Sequence, residues 1–250
     1  MIRIIIILLV LVVYLLLSIF TWAFLWIFEK FNFKKGRLMG FRNVQWAFKV
    51  VGKLAGIKLT VEGAENIPKD RPVLYVGNHN SIFDVVVTYA LCPGITGFIS
   101  KDVIEKVPLL NHWMKRNYCL FLNRENVREG MKTIMKAIEY IEKEEVSIFI
   151  YPEGTRSRNH HMVPFKDGSM KIATKTGCPI IPVAITGTAG IFEEHFPWIK
   201  RSAVTVKYGE PIDPKTMSSD ELKHMGEYVQ NKVAQMLPED YQLVADGGQE

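Results

Sequence analysis

One histidine and one aspartate have the spacing of a catalytic pair. Gly77-Asn78-His79-Asn80-Ser81-Ile82-Phe83-Asp84 follows the apolar run Val73–Gly77 directly. A histidine in the loop after a strand, with an aspartate in the first turn of the next helix, can form a general base and its orienter. The carboxylate accepts from one ring nitrogen, which fixes the tautomer and stabilises the imidazolium, while the other nitrogen takes a proton. The same residues have a purely structural reading, because Ser81-x-x-Asp84 is also a helix-capping pattern and Asn78 a turn residue. A second segment, Tyr151-Pro152-Glu153-Gly154-Thr155-Arg156-Ser157-Arg158, follows another apolar strand. Gly154 permits close backbone approach, Thr155 and Ser157 supply hydroxyls, and Arg156 and Arg158 supply cations. Together they make a phosphate cradle or, equally, a polar turn with its arginines in solvent. Leu122-Asn123-Arg124 ends a third apolar run with a cation.

Other chemistries are not encoded. The chain has no GxGxxG after a strand, no GxxxxGK[ST], no GxSxG and no HExxH, which argues against dinucleotide enzymes, P-loop nucleotide enzymes, nucleophile-elbow hydrolases and zincins. Cys92, Cys119 and Cys178 form no CxxC pair and sit beside apolar runs, as buried reduced thiols do. His112, His160 and His161 lack carboxylate or thiol neighbours at ligand spacing, so they read as surface or loop residues and no metal is expected.

Strands and helices must bring these segments together. Short β-branched and apolar runs recur at Ile57–Val61, Val73–Gly77, Ile95–Ile99, Tyr118–Leu122, Val146–Tyr151, Ile180–Ile185 and Val204–Tyr208. Helical patterns separate many of them. One carries Val127, Met131, Ile134, Ile138 and Ile141 on a single face; another stops at Gly177 and Pro179; a last one spans Asp220 to Met236. The alternation predicts an α/β fold, a mostly parallel sheet of about seven strands covered by helices. In such a sheet the three chemistry-bearing strand ends share one edge, where ligands usually bind.

The chain is 250 residues long, 48% hydrophobic and 23% charged, which excludes a disordered or low-complexity protein. A slightly positive mean hydropathy of +0.07 points to a local apolar surplus. It lies at the start. Ile4 to Phe28 contains no charge and reaches about 37 Å as a helix, longer than a bilayer's hydrocarbon core of about 30 Å. No small-residue cleavage site follows, so a retained anchor is predicted, with Trp22 and Trp26 as interface aromatics. Only Arg3 precedes it, whereas Lys30, Lys34, Lys35 and Arg37 follow, which puts the remaining chain on the cytoplasmic face of the cell membrane. Next, Phe41, Val44, Phe48, Val51 and Ala55 fall at helical spacing among Arg42, Lys49 and Lys53. This predicts an interfacial helix with its cations toward anionic headgroups, or else a stripe that packs on the main domain. Membrane-associated helices over residues 1–55 and an α/β domain over 56–250, with a fraying tail at Val244–Glu250, complete the expected organisation. The net charge of +5 then suits a lipid surface and a phosphorylated ligand, and nucleic acid is not expected as a partner.

Four blocks, Asn78–Asp84, Phe121–Arg124, Tyr151–Ser157 and Pro179-Ile180-Ile181-Pro182-Val183-Ala184, resemble in order and spacing those of the glycerophospholipid acyltransferases, most closely the bacterial 1-acylglycerol-3-phosphate acyltransferases. The resemblance runs from about Gly56 to Ile212, with Asn123 where the family often has Asp. It implies acyl transfer from a thioester, acyl-CoA or acyl carrier protein, to the sn-2 hydroxyl of 1-acylglycerol 3-phosphate, giving phosphatidic acid for phospholipid synthesis without a cofactor. His79 is then the base and Asp84 its orienter. Arg124, Glu153, Gly154, Thr155 and Arg156 shape the acceptor and phosphate site, and Pro182 supports it or serves the acyl-donor side. Lys101 and Lys106 add positive charge for the phosphate or an acidic carrier, or form a solvated face diluted by Asp102 and Glu105. Backbone N–H groups at the helix start after Ser81 are the candidate oxyanion donors. Glycerol 3-phosphate or another lysolipid as acceptor, or a non-catalytic lipid-binding module, are the alternatives.

Overall fold

The computed structural model describes residues 2–157, 161–239 and 241–243. Arg158, His160 and the tail from Val244, all named above, lie outside the described residues.

Seven strands form one sheet: β1 (Lys58–Glu62), β2 (Leu74–Gly77), β3 (Thr96–Lys101), β4 (Leu120–Leu122), β5 (Ser147–Ile150), β7 (Ile180–Thr186) and β8 (Ala203–Tyr208), in the order β1-β8-β7-β2-β5-β3-β4. A short parallel pair, β6 (His161–Met162) and β9 (Gln242–Leu243), stands apart. The five strands from β7 to β4 run parallel, and β8 turns back antiparallel on β7 with β1 parallel beside it. Each predicted run is therefore a strand of this sheet, and the expected mostly parallel α/β architecture is the observed one.

The two faces of the sheet carry different cores because successive side chains alternate. Tyr75, Phe149, Ile181, Val183 and Ile185 join one cluster with α2 (Phe33–Ala55) and α3 (Ile82–Leu91). Leu74, Val76, Ile148, Ile150, Ile180 and Ala184 join the other with α5 (Val127–Glu144), α6 (Lys171–Thr176) and α8 (Met225–Met236). The predicted α5 stripe buries Ile134, Ile138 and Ile141, but Val127 is 83% and Met131 40% exposed. The first turn of α5 follows β4, a three-residue strand at the edge of the sheet. The single helix expected from Asp220 is two, α7 (Ser219–Lys223) and α8, broken at His224. The break lets the Gly226 amide donate to Asp167 Oδ1 at 2.8 Å. All three cysteines are free and buried, and burial pushes the Cys92 and Cys119 thiols up to about 12.

The N-terminal helix α1 (Ile2–Phe28) is long and apolar enough to cross a membrane. It is docked along one side. Ile7 is in the core cluster, Leu25 is buried, and Tyr14 Oη accepts from Asn43 Nδ2 at 2.9 Å. Near its centre Ser18, 3% exposed, accepts from the indole N–H of Trp113 at 2.7 Å; Trp113 lies on α4 (Leu110–Arg116) of the α/β domain. At the hairpin turn the Arg116 guanidinium meets Glu29 at 2.6 Å. The opposite side of α1, including Leu9, Leu16, Phe20, Phe24 and Trp26, is exposed.

The α2 stripe corrects the interfacial expectation. Phe41, Val51 and Ala55 are buried and Val44 and Phe48 partly so, within the cluster shared with α3, so this stripe packs on protein. Trp46, Leu38 and Met39 form its exposed apolar side instead. Gly56 closes the helix in the left-handed region, at φ 80°.

Replacing Trp113 with Phe removes the donor to Ser18 while keeping most of the packing. A loss of about 1 kcal/mol in unfolding free energy is expected, with earlier proteolysis between α1 and α2; denaturant melts and limited digestion check both.

Candidate active site

The parallel strands bring the C-terminal ends of β2, β3, β4, β5 and β7 to one edge, and the residues singled out above follow those ends. After β2 the chain is fixed by Asn78, whose side chain donates to Ile185 O at 2.9 Å and accepts from Ile185 N at 2.8 Å. This clasp joins the loop to β7, beside which β2 lies.

His79 Nδ1 stands 2.8 Å from Asp84 Oδ2. Asp84 is fully buried and receives three further bonds, from Asn80 N at 2.7 Å, Ser81 N at 2.8 Å and, on its other oxygen, Thr188 Oγ1 at 2.5 Å. Ser81 caps α3 by accepting from Phe83 N at 3.0 Å. The two sequence readings are thus both true: Asp84 completes a capping box and holds the imidazole with the same carboxylate. Because Asp84 accepts, Nδ1 carries the proton and Nε2 is the basic nitrogen. Behind the ring lies Tyr151, stacked at 4.4 Å between centroids and 22° between planes. The Tyr151 hydroxyl is anchored by Thr88 at 2.9 Å.

Glu153 stitches the second segment to the first. Its carboxylate accepts from His79 N at 2.7 Å, Ser157 Oγ at 2.5 Å and Val163 N at 2.9 Å, and Ser157 N donates to His79 O at 2.7 Å. Burial pushes the Glu153 carboxyl up to about 7, against the pull of those three donors. Its position is that of a brace beneath the loops, with its oxygens turned to the protein. Gly154 has φ +74°; a Cβ there would lie 3.3 Å from Lys166 Nζ and 3.9 Å from Arg124 Nε. Two cations thus converge on a backbone that only glycine leaves open. Burial lowers the Arg124 pKa, with Asp102 opposing.

Asn123 Oδ1 accepts from Glu125 N and Asn126 N, both at 3.0 Å, and Asn126 caps α5. That turn needs an acceptor oxygen, which asparagine supplies as aspartate does. Thr155 and Arg156 are exposed, and Arg156 Nη1 donates to Glu193 Oε1 at 2.9 Å. Lys101 ends β3 in register with Leu122 and is exposed; Lys106 is exposed in the turn after it, with no bond to the motif loops among those described. Pro182 is buried inside β7 beside Val76, on the opposite face of the sheet from Tyr75, where it packs near Gly209 and Met236.

The proposed oxyanion donors need correction. Asn80 N and Ser81 N serve Asp84, Phe83 N serves Ser81 Oγ, and Ile82 N donates to Glu193 Oε1 at 2.9 Å. Every one of these amides already has an acceptor. Sequence reading missed Thr188, Lys166 and Glu193. Thr188 follows β7 by two residues, so strand-end position was the available signal for it; Lys166, a single lysine before Asp167, carried none. Glu193, nine residues after the Pro179–Ala184 block, had no pattern to mark it.

Comparison with known proteins bears directly on this arrangement. Residues 58–186, from β1 to the end of β7, match the family model described as Acyltransferase. The chain belongs to the acyltransferase family. The span matched by the acyltransferase model includes His79, Asp84, Arg124 and the Glu153–Ser157 segment. The 1-acyl-sn-glycerol-3-phosphate acyltransferase of Borreliella burgdorferi is 31% identical over 202 residues, 80% of this chain and 79% of that protein. The Saccharomyces cerevisiae protein of the same description is 27% identical over 194 residues, covering 77% of this chain. The match spans 64% of the yeast protein's own length and 63% of the Cocos nucifera one's, just under two thirds. Among solved structures, the 1-acyl-sn-glycerophosphate (LPA) acyltransferase PlsC from Thermotoga maritima superposes with a TM-score of 0.75 at 30% identity, over 94% of this chain and 95% of that one.

A pH signature follows from Glu153. Its folded-state pKa lies above the ordinary 4.5, so between about 4.5 and about 7 the folded chain holds a proton that the unfolded chain has released. This group's contribution to stability is therefore fullest at the acid end and falls as pH rises through that window. Glu153→Gln is expected to be less stable at every pH and to lose that component of the slope, read from melts at several pH values.

Proposed function

We propose that this chain moves a fatty acyl group from a thioester donor to the sn-2 hydroxyl of 1-acylglycerol 3-phosphate, giving phosphatidic acid. The observation that carries the reading is the His79–Asp84 pair at 2.8 Å, at the same sheet edge as Arg124, Lys166 and Arg156. A lipid-binding module needs the cations but has no use for an oriented base. The relatives' descriptions support the lysophosphatidate acceptor over glycerol 3-phosphate.

In this mechanism His79 Nε2 takes the proton of the acceptor hydroxyl as its oxygen attacks the thioester carbonyl. The Asp84 carboxylate, immobilised by four donors, stabilises the imidazolium that forms. As the tetrahedral intermediate collapses, the C–S bond breaks, and the departing thiolate takes the proton back from Nε2. A thioester is already activated, so neither a metal nor a covalent enzyme intermediate is required. Arg124, Lys166 and Arg156 hold the acceptor's phosphate. The donor is acyl-CoA or acyl carrier protein, and Lys101 and Lys106, both exposed at and after the end of β3, add positive charge for the acceptor's phosphate or for an acidic carrier.

The membrane placement is part of the same proposal. The exposed apolar side of α1 and the Trp46 side of α2 lie in lipid, with the cations after α1 at the cytoplasmic face of the cell membrane. Because the middle of α1 is bonded to Trp113 of the α/β domain, the hairpin sits in one leaflet rather than crossing the bilayer as an isolated helix.

The test is transfer from labelled acyl thioester to a panel of acceptors by the full chain in mixed micelles. Lysophosphatidate is expected to be the preferred acceptor, and His79→Ala and Asp84→Ala each to lower kcat by about 10²-fold or more. No transfer to any lysolipid or glycerol phosphate overturns the enzyme reading; full activity of His79→Ala overturns the base. Arg156→Ala is expected to raise the acceptor KM far more than the donor KM.

A further inference from the structure

Arg156, the exposed arginine of the phosphate cradle, already has an anion on it, and that anion belongs to the chain itself. Glu193 reaches in from the segment that follows β7. Its Oε1 accepts from Arg156 Nη1 at 2.9 Å and from the Ile82 backbone N–H at 2.9 Å, and its Oε2 accepts from Ser81 Oγ at 2.5 Å. These donors are a cation, a hydroxyl and an N–H in the first turn of α3, two and three residues beyond His79. They are the donor types that a phosphomonoester oxygen takes.

We propose that Glu193 is a displaceable counter-anion for Arg156, a residue that sets acceptor affinity by occupying the cation until the acceptor's phosphate arrives. The inference rests on the lysophosphatidate reading given above. A phosphomonoester brings up to two negative charges to Arg156, and a carboxylate within bonding distance of the same guanidinium opposes them. The two anions therefore compete for one cation, and the bound acceptor drives Glu193 off. The contact is built for exchange. The Arg156 side chain is 52% exposed and that of Glu193 23%, so the pair is weak enough to open. The brace under the same loops is of another kind: Glu153 is 2% exposed and, among the described residues, bonds to the buried Ser157 hydroxyl and to backbone N–H groups, so it stays in place when the acceptor binds. Release of Glu193 also frees the Ser81 hydroxyl and the Ile82 N–H, two and three residues beyond His79.

The isosteric variant Glu193→Gln separates a displaceable anion from a fixed brace. It keeps the shape and an acceptor oxygen but removes the charge. The full chain is assayed in mixed micelles with varied 1-acylglycerol 3-phosphate, and inorganic phosphate is titrated as a competitor. The acceptor KM and the inhibition constant of phosphate are expected to fall together, by up to about fivefold, the range of a half-exposed ion pair. In an Arg156→Ala background the same change is expected to do nothing to either constant. An unchanged or raised acceptor KM in a variant that melts like the parent overturns the proposal and makes Glu193 a structural brace. So does a gain that persists without Arg156. If the parent protein transfers acyl groups to no acceptor, the functional reading fails, and calorimetric titration with inorganic phosphate decides the displacement by itself. Tighter binding to Glu193→Gln than to the parent supports it, and equal binding sinks it.

Discussion

A carboxylate with no contact to solvent has to be satisfied completely by the protein, and Asp84 imposes that demand on this fold. Its four donors come from His79, from the backbone of Asn80 and Ser81, and from Thr188 beyond the end of β7. Leaving one of them out strands part of a buried charge, which costs several kcal/mol. The loop after β2, the first turn of α3 and the segment after β7 therefore hold one arrangement or none. Helix capping and the orientation of His79 are a single event here, so the site is as rigid as the start of α3.

Rings complete what the carboxylate begins. Phe98 stacks on Phe149 at 4.9 Å, Phe149 touches Tyr151 at 4.9 Å, and Tyr151 lies under His79 at 4.4 Å. All but His79 sit on or just beyond β3 and β5, on one face of the sheet, so the imidazole, with its side chain 16% exposed, is the outer end of an aromatic stack whose other end is core. Glu153 restrains the same loop from its backbone side through the His79 N–H. Ring plane, ring tautomer and loop path are fixed by three different partners, which leaves Nε2 as the ring atom free to do chemistry.

Much of this was legible because strands and local spacing write themselves into sequence. All seven runs became strands, and the four-residue gap from His79 to Asp84 is local geometry, set by one loop and one helical turn. What stayed hidden was long-range. Whether the Phe41–Ala55 stripe faces lipid or protein depends on α3, and periodicity is blind to that choice. Thr188 and Glu193 meet the first motif across more than a hundred residues, with no pattern of their own. The helix break at His224 depends on Asp167, and the exposure of Val127 on the shortness of an edge strand. The amides after Ser81 looked available because sequence does not show which acceptors come back to them.

The bond from Trp113 to Ser18 reaches beyond the helix it secures. A catalytic domain on a flexible tether samples a range of heights above a bilayer, and its encounter with a lipid headgroup carries the entropy of that search. Here the hairpin and the sheet share one hydrophobic cluster, with no linker between Ala55 and β1 beyond Gly56 and Ile57. The distance between His79 and the exposed apolar side of α1 is consequently a constant of the fold. In the proposed membrane placement, what varies is the lipid: a change in leaflet thickness or headgroup packing moves the acceptor hydroxyl relative to a base that cannot follow it. Acceptor preference then becomes partly a property of the bilayer, expressed through an enzyme that works like a ruler held at fixed depth.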